Sequence, residues 1–438
     1  MSAIIKPTSK QTALIEKWQK AWFPLLPKSE QIRLITEQRR FKIVPAGRRS
    51  GKTARAKRHV SIEAMNNPGE MYAVGAPTHL QVKTLYWKDL LALNAPFIDK
   101  KLTNVAERKI VLVNGAEIHV LGLDKPERWE GSPWAGIVID EIANCKASAW
   151  EENLKPSLNT TRPGKPLAWA WLIGVPEGLN HYYDIAMHAK SSGDADYGYY
   201  SWLSSEVLSQ EELDKERARM SPRIYRQEYE ASFETVAGRI YDDYGDLNLS
   251  TREFDPSLPI LWCHDFNFTP LSSVIVQFYQ GKYYCVDEIV LEGAVARQSM
   301  NEFVDRYKQY PRIPIDVYGD RSGRDGEKHG HRSDYLELVQ GLKQAGFINV
   351  NLRVPQDNPA IRDRQNEVRA WILNGLGERR LLVNKDKCKT MHKGLSTVQL
   401  MDGSTFEEKE SKSQHITTAI GYMLHFKHKR ATTFGNAK

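Results

Sequence analysis

Residues 46 to 53, Ala-Gly-Arg-Arg-Ser-Gly-Lys-Thr, follow the apolar run Phe41 to Val44, and 88 residues after Lys52 the run Gly-Ile-Val-Ile ends in Asp140 and Glu141. No other feature constrains the chain as strongly. A glycine-containing turn between a strand and a helix aims several backbone N–H groups into one small volume, where a polyphosphate satisfies them together. The cradle is Ala46, Gly47, Arg48, Arg49, Ser50, Gly51, Lys52 and Thr53, with Lys52 reaching the β- and γ-phosphates and the Thr53 hydroxyl binding Mg²⁺. The apolar run before Asp140 has the form of a buried parallel strand whose tip emerges beside that loop. Asp140 is then expected in the Mg²⁺ shell, and Glu141 is expected to polarise the attacking water. The strict pattern G-x-x-x-x-G-K-[ST] lacks its first glycine, because Ala46 stands there and Gly47 follows. A glycine loop and an acid-tipped strand are each common alone; in this order they imply hydrolysis of a nucleotide.

At 438 residues the chain exceeds what one hydrophobic core usually organises, so two domains are expected. Hydrophobic content of 41% and charged content of 26% exclude a disordered or fibrous chain. The net charge of +7 suggests a polyanionic partner, though a mild basic excess is often only solvated surface. Its distribution says more: Arg39 to Arg58 holds nine Lys or Arg and no acid, and His425 to Lys438 holds four bases and no acid. Cys145, Cys263, Cys285 and Cys388 are far apart without a C-x-x-C pair, which argues against a zinc ribbon or a disulfide framework and fits a reducing compartment. No stretch approaches the roughly 20 apolar residues of a membrane span, so a soluble intracellular protein is expected.

Residues 11 to 40 carry helical patterning interrupted by Pro24 and Pro27. A strand, the phosphate loop and a helix to about Asn66 follow, then a strand from Met71 to Ala76. Lys109 to Val113 and Glu117 to Leu121 flank Asn114-Gly115, a strong hairpin signature. The Asp140 strand, a helical stretch to about Leu158 and a strand from Leu167 to Gly174 come next. Strands alternating with helices to about residue 180 indicate a parallel α/β sheet. Leu208 to Glu234 reads as helical, and a loop-rich change of composition around Gly238 to Asp246 marks a junction. The expected division is residues 1–235, a linker over 236–255, and 256–438. The second part opens with Ile260 to Asp265 and continues with two antiparallel strands about Gln280-Gly281, a helix from Arg297 to Tyr310 and a strand from Ile315 to Gly319, a βββαβ order.

Asp265 and Asp320 both stand where an apolar run stops. Two carboxylates held close repel unless a divalent cation lies between them or one is protonated. Two metals about 4 Å apart can activate a water and stabilise the leaving oxygen of a phosphodiester, which is nuclease chemistry. The competing explanation is that Asp often ends strands simply as a loop former.

The ordered set of segments resembles the large terminase subunit of tailed bacteriophages, a DNA-packaging motor and nuclease. Gln31 precedes Arg40-Phe-Lys-Ile-Val-Pro-Ala-Gly-Arg-Arg-Ser-Gly-Lys-Thr53; Gly75-Ala-Pro-Thr78 and Arg128-Trp-Glu-Gly131 come before Ile137-Val-Ile-Asp-Glu141. Gly174-Val-Pro-Glu-Gly-Leu-Asn-His-Tyr182 resembles the family's coupling segment, and Tyr225-Arg-Gln-Glu-Tyr-Glu-Ala-Ser-Phe233 its inter-domain helix. His264-Asp-Phe-Asn-Phe-Thr-Pro270 and Tyr318-Gly-Asp-Arg321 resemble the nuclease strands. The resemblance implies an α/β chain: an N-terminal P-loop ATPase domain of the additional-strand type, with a parallel sheet, then a ribonuclease-H-like nuclease domain. It implies that Gln31 reads adenine, that Arg48 contacts phosphate within its own subunit, and that Arg128 is inserted into a neighbour's ATP site. The alternative for Arg128 is a surface ion pair with Glu127 or Glu130.

One segment departs from the family. The closing helix usually carries two acids, and in Gln414-His-Ile-Thr-Thr-Ala-Ile-Gly-Tyr422 these are replaced by Gln414 and Thr418 while His415 stays. Besides Asp265 and Asp320, the third metal ligand is therefore His415 or one of Glu407, Glu408 and Glu410, unless a second metal binds only with DNA. The implied cofactors are ATP with Mg²⁺, and Mg²⁺ or Mn²⁺ at the nuclease site. The implied partners are double-stranded DNA, the portal protein of the capsid, the small terminase subunit and other copies in a ring, with no membrane, in the host cytoplasm. The rival function is a helicase or DNA-remodelling ATPase whose second domain binds nucleic acid without cutting it.

Overall fold

The computed structural model describes residues 28–159, 164–234, 238–266, 269–321, 333–401, 404 and 406–428. The helical patterning expected before residue 28 and most of the basic tail lie outside these residues. The chain divides into two compact units, one of Met1–Gln210 with Arg226–Glu234, the other of Glu211–Tyr225 with Thr235–Lys438.

The first unit is built on seven strands: β1 (Phe41–Pro45), β2 (Met71–Ala76), β3 (Lys109–Val111), β4 (Glu117–Gly122), β5 (Trp134–Asp140), β6 (Trp169–Gly174) and β7 (Tyr197–Tyr199). Their order is β3-β4-β2-β5-β6-β1-β7, parallel except for β3. Strand β6 stands between the phosphate-loop strand β1 and the acid-tipped β5, so the sheet carries the additional strand that the resemblance implied. Every residue of β1 and β5 is buried. Continuous apolar runs of this kind mark strands covered on both faces. Helices α1 (Ser29–Thr36) and α2 (Lys52–Asn66) cover one face, with Leu34, Ala56, Val60 and Ala64 against Val44 and Val138; α3 (His181–Ser191) covers the other, with Tyr182 and Ala186 among Ile43, Ile139 and Leu172.

Asn114-Gly115 does turn an antiparallel pair, β3 and β4, with Gly115 at φ +82°. Asn114 also donates to the carbonyls of Ala64 and Met65 at 2.9 and 3.0 Å, closing the end of α2. Two expected helical stretches differ in detail. The one after β5 is a π-helical turn, Ala149–Leu154, followed by Lys155–Ser157. The one from Leu208 is two helices, α4 (Gln210–Arg217) and α5 (Pro222–Tyr229), because Pro222 cannot continue a preceding helix but opens a new one.

The second unit carries β8 (Leu249–Ser250), β9 (Ile260–Asp265), β10 (Leu271–Tyr279), β11 (Lys282–Leu291), β12 (Ile315–Tyr318), β13 (Val350–Arg353) and β14 (Leu381–Asn384). Their order is β13-β12-β9-β10-β11-β14-β8; β10 is antiparallel to both neighbours and the other pairs are parallel. With α6 (Ala296–Tyr307) between β11 and β12, the βββαβ order holds, and the five strands from β9 to β13 form a ribonuclease-H-like sheet. Helices α6 and α7 (Asp334–Gln344) pack Phe303 and Leu338 against Trp262 and Val317 on one face. On the other, α8 (Ile361–Ile372), α9 (Lys389–Thr397) and α10 (Gln414–His428) pack Val368, Leu395 and Ile420 against Leu261, Cys263 and Tyr318. All four cysteines are buried free thiols.

Candidate nucleotide and metal sites

Residues 46 to 51 link the end of β1 to α2, and two positions take the left-handed conformation, Arg49 at φ +56° and Gly51 at φ +86°. Gly51 thereby turns the chain into the helix without strain. Gly47 is required for a different reason: a Cβ there would lie 2.3 Å from Ser204 Oγ and 2.7 Å from the Tyr229 carbonyl oxygen. The loop is tied to its surroundings through its backbone. The N–H groups of Ala46, Gly47 and Arg48 donate to the carbonyls of Gly174, Trp202 and Glu228 at 3.2, 3.0 and 2.6 Å. Trp202 Nε1 donates to the Ser50 carbonyl at 3.0 Å, and Ser204 Oγ to that of Arg48 at 2.6 Å.

Lys52 Nζ donates to the carbonyls of Ala46 and Gly47, both at 2.8 Å. Burial brings its pKa down to about 8, against the opposing pull of Glu141 and Asp140. Thr53 Oγ1 donates to Asp140 Oδ2 at 2.7 Å, and the Tyr86 hydroxyl donates to the same oxygen at 2.8 Å. The first helical turn after the loop and the tip of β5 are thus joined at the two groups expected to share a Mg²⁺ shell. Glu141 sits at φ +55°, an uncommon conformation for a residue with a side chain. Burial and then Asp140 raise its pKa, with Lys52 and Arg48 opposing. A carboxylate held this way is a better base than an exposed one.

Arg48 pairs with the Glu228 carboxylate, which raises the guanidinium's proton affinity above burial's opposing effect. Gln31 is 1% exposed. Its Oε1 accepts from Lys28 N at 2.9 Å and from Arg55 Nη2 at 2.7 Å, which fastens it to α2, while its Nε2 is buried without a hydrogen bond. Arg49 is exposed and Ser50 buried. Arg128 lies on the short turn Pro126–Trp129 and is exposed; among the described residues it forms no ion pair and no hydrogen bond to the phosphate loop, so neither Glu127 nor Glu130 claims it. The phosphate loop, Asp140 and Glu141 are brought together; Arg128 is not joined to them. After Glu141, the carbonyls of Ile142 and Ala143 are bound by His181 Nε2 at 3.0 Å and Asn180 Nδ2 at 3.0 Å, so the Gly174 to Tyr182 segment is in contact with the residues that follow the acid.

In the second unit Asp265 ends β9 and Asp320 lies two residues beyond β12. The parallel register ends with Cys263 opposite Tyr318, which pack against α10, and Asp265 and Asp320 each follow two residues later along their chains. They are 7% and 8% exposed. Tyr422 of α10 feels both carboxylates. His415 Nδ1 is 3.1 Å from Asp265 Oδ2. Gly319 gives Tyr335 room to donate to the Asp320 carbonyl at 2.7 Å, since a Cβ there would lie 2.3 Å from the Tyr335 hydroxyl.

Of the three acids considered as substitutes, Glu407 and Glu410 are exposed. Glu408 is turned inward, where Arg364 Nη2 and Gln365 Nε2 donate to it at 3.3 and 2.9 Å. Gln414 and Thr418 offer no charge. Among the described residues no group of three or more His, Cys, Asp or Glu is arranged to hold a metal ion. The donor set of two buried carboxylates, Asp265 and Asp320, suits one divalent cation of the Mg²⁺ type, which takes one or two protein carboxylates and fills its shell with water and substrate phosphate.

Several residues at these sites escaped the sequence analysis. Tyr86 and Trp202 had no local pattern to betray them. Glu228 lies inside the Tyr225 to Phe233 segment, but its partner Arg48 is 180 residues away. Arg364 had a usable signature: α8 buries Arg364, Gln365 and Arg369 beside Val368, polar groups on a helix face that would otherwise be apolar.

Residues 43–243 match the family model "Terminase large subunit, T4likevirus-type, N-terminal". Among curated relatives, the large terminase subunit of Escherichia phage T5 is 23% identical over 364 residues, 75% of this chain and 80% of that protein. That of Thermus virus P23-45 is 25% identical over 177 residues, so the match spans 36% of this chain and only 36% of that relative's length. Among solved structures, the large terminase of a thermophilic bacteriophage superimposes with a TM-score of 0.59 at 14% identity, covering 94% of this chain and 98% of its own. The same protein in complex with ADP gives a TM-score of 0.58 at 14% identity over 93% of this chain and all of that one. Residues 43–243 thus carry the N-terminal domain of a terminase large subunit, and the chain as a whole has the fold of a large terminase.

Proposed function

We propose that this protein is a viral DNA-packaging motor that moves double-stranded DNA by hydrolysing ATP and cuts it at a separate, metal-dependent site. The observation that carries this is the presence, in one chain, of a phosphate loop hydrogen-bonded to its acid-tipped strand through Thr53 and Asp140, and of two buried carboxylates, Asp265 and Asp320, at the ends of adjacent parallel strands.

At the first site Lys52 would exchange the carbonyls of Ala46 and Gly47 for the β- and γ-phosphates, and Thr53 and Asp140 would hold the Mg²⁺ that accompanies ATP. Glu141 takes a proton from the attacking water. Arg48 exchanges Glu228 for phosphate, and Arg128 is the group offered to a neighbouring copy, where added positive charge counts most in the transition state. Gln31, fixed by Arg55, reads adenine. Loss of the γ-phosphate changes the charge beside Asp140 and Glu141, and the link from Ile142 and Ala143 to Asn180 and His181 carries that change to the Gly174 to Gly178 segment.

At the second site Asp265 and Asp320 would hold the cation, Mg²⁺ or Mn²⁺, with His415 orienting Asp265 or joining the shell. Such a cation activates water and stabilises the leaving oxygen of a phosphodiester. DNA gripped through its phosphates is held without regard to sequence and with strong salt dependence. Copies that complete one another's ATP sites contact head to tail and close into a ring. The portal protein, the small terminase subunit and the host cytoplasm belong to the same proposal; no described helix is long and apolar enough to cross a membrane.

The test is a double dissociation. Lys52→Ala should lose ATP turnover by on the order of 100-fold or more while keeping Mn²⁺-dependent nicking of plasmid DNA. Asp265→Asn should do the reverse. Loss of both activities in either variant, with the fold intact by circular dichroism, refutes two independent centres. Strand separation on a forked duplex without cleavage would favour the helicase instead.

A further inference from the structure

Helix α10 contains a glycine in its middle, Gly421, which costs about 1 kcal/mol relative to alanine in a helix interior. The neighbouring helix gives the reason. A Cβ at Gly421 would lie 2.5 Å from Cγ, 2.9 Å from Cδ and 3.5 Å from Nε of Arg364. The bare helix surface is a groove through which the Arg364 stem passes.

The guanidinium at the end of that stem is nearly enclosed, with the side chain 8% exposed, yet it is sparsely used. Nη2 donates to Glu408 Oε1 at a long 3.3 Å, and Glu408 is shared with Gln365. The ring of Tyr422 lies 5.1 Å from the guanidinium carbon, and its hydroxyl also engages that group. Nε is buried with no hydrogen-bond partner. An unpaired buried donor of a charged group is expensive and calls for an explanation. Burial disfavours the charge, but Glu408, Tyr422, Tyr241 and Asp265 together outweigh it. One helix holds both groups: His415 of α10 lies 3.1 Å from Asp265, and about two turns further along the same helix Gly421 and Tyr422 pack against Arg364.

The charge balance of this pocket differs from that of a three-acid site. Asp265 and Asp320 together balance one divalent cation, and Gln414 and Thr418 add nothing to hold a second. A phosphodiester entering the site brings further negative charge, which a fixed cation of the protein would meet without a second metal. We propose that Arg364 is the second cationic group of the cleavage site, donating Nε–H and Nη–H to the non-bridging oxygens of the DNA phosphate held against Asp265 and Asp320. The guanidinium fork suits two oxygens of one phosphate. Arg364 makes and breaks no bond; it binds the phosphate and offsets its charge. This assignment rests on the nuclease proposal above.

The experiment uses the full chain, with supercoiled plasmid and Mn²⁺ as probes. Arg364→Gln should slow nicking at saturating Mn²⁺ by about 100-fold, as for other donors aimed at a reacting phosphate or oxyanion. Mn²⁺ affinity, measured by calorimetry without DNA, should stay the same or rise, because a neighbouring positive charge has gone. Gly421→Ala keeps the guanidinium but drives a methyl group into its stem, and should reduce nicking about 10-fold with Mn²⁺ affinity unchanged. This second variant also favours the helix, so it tests the idea if the first folds poorly. Nicking within threefold of the unmodified protein in both variants overturns the assignment. So does a joint fall of nicking, Mn²⁺ affinity and melting temperature, which would make Arg364 a structural prop for Glu408. An unmodified protein that cuts no DNA with either Mg²⁺ or Mn²⁺ sinks the nuclease reading itself, and is distinguishable from both.

Discussion

Arg48 illustrates how a single side chain at the phosphate loop can be committed before any phosphate arrives. Its side chain is 55% exposed, and its partner Glu228 is 10% exposed and fixed by the helix that carries it. For Arg48 to bind phosphate it must give up that carboxylate, so Glu228 competes with the nucleotide. Partly exposed ion pairs are worth about 0.2–1 kcal/mol. Glu228→Gln should therefore tighten binding of a non-hydrolysable ATP analogue by about two- to fivefold by calorimetry. Unchanged or weaker binding would mean that Glu228 positions Arg48 instead of opposing it. The placement of Gly51, Lys52 and Thr53 at the loop, and of Asp140 at a strand tip, was legible because the spacing of a phosphate loop is local and the apolar run before Asp140 is continuous. What was not legible was pairing across the fold: Arg48 with Glu228, Gln31 with Arg55, and Asp140 with Tyr86 are all separated by at least 24 residues.

At the level of elements, the strands were the most readable, since β1, β2, β5 and β9 are short apolar runs bounded by loop formers and appear within a residue or two of expectation. The run of basic residues from Arg39 to Arg58 was less informative than its composition suggests. Lys42 donates to the Leu34 carbonyl at 2.6 Å, Arg55 to Gln31, and Lys57 to Asp89 at 2.7 Å, so part of that positive charge serves to dock α1 and α2 and not to meet DNA. Helix α2 also lays His59 flat on Trp171 of β6, with centroids 4.2 Å apart and planes 11° from parallel, and Trp169 at 4.5 Å. Burial, and then the positive charge of Lys42, brings the His59 pKa down to about 3. The ordinary value is 6.5, so between pH 6.5 and 3 the unfolded chain binds a proton that the folded chain refuses. The contribution of this packing to stability is fully present above pH 6.5 and is lost as the pH falls below it. His59→Phe keeps a flat ring without a titrating group. Its melting temperature should fall less than that of the unmodified protein between pH 7.5 and pH 5, and equal falls would show that His59 titrates normally in the fold.

For the whole molecule, the decisive question is whether one copy contains a complete ATP site. The chain supplies the loop, Thr53, Asp140, Glu141 and Arg48 from within its first unit, while Arg128 is exposed and joined to none of them. In the head-to-tail ring proposed above, such a residue would complete the site of the next copy, and each copy would have one such neighbour. This can be tested without solving the assembly. Lys52→Ala lacks a working loop but keeps Arg128, and Arg128→Ala keeps the loop but lacks the arginine. Each alone should be inactive. In an equal mixture half of the loops are intact and half of their neighbours supply the arginine, so about a quarter of the sites are complete in randomly mixed head-to-tail rings. ATP turnover with DNA present should therefore recover to roughly a quarter of that of the unmodified protein, and should rise more steeply than linearly with total protein concentration in the range where rings assemble. An arginine acting within its own copy gives no recovery in the mixture, because no chain then carries both groups. A mixture that stays inactive while the unmodified protein hydrolyses ATP would confine Arg128 to a role outside the neighbour's site.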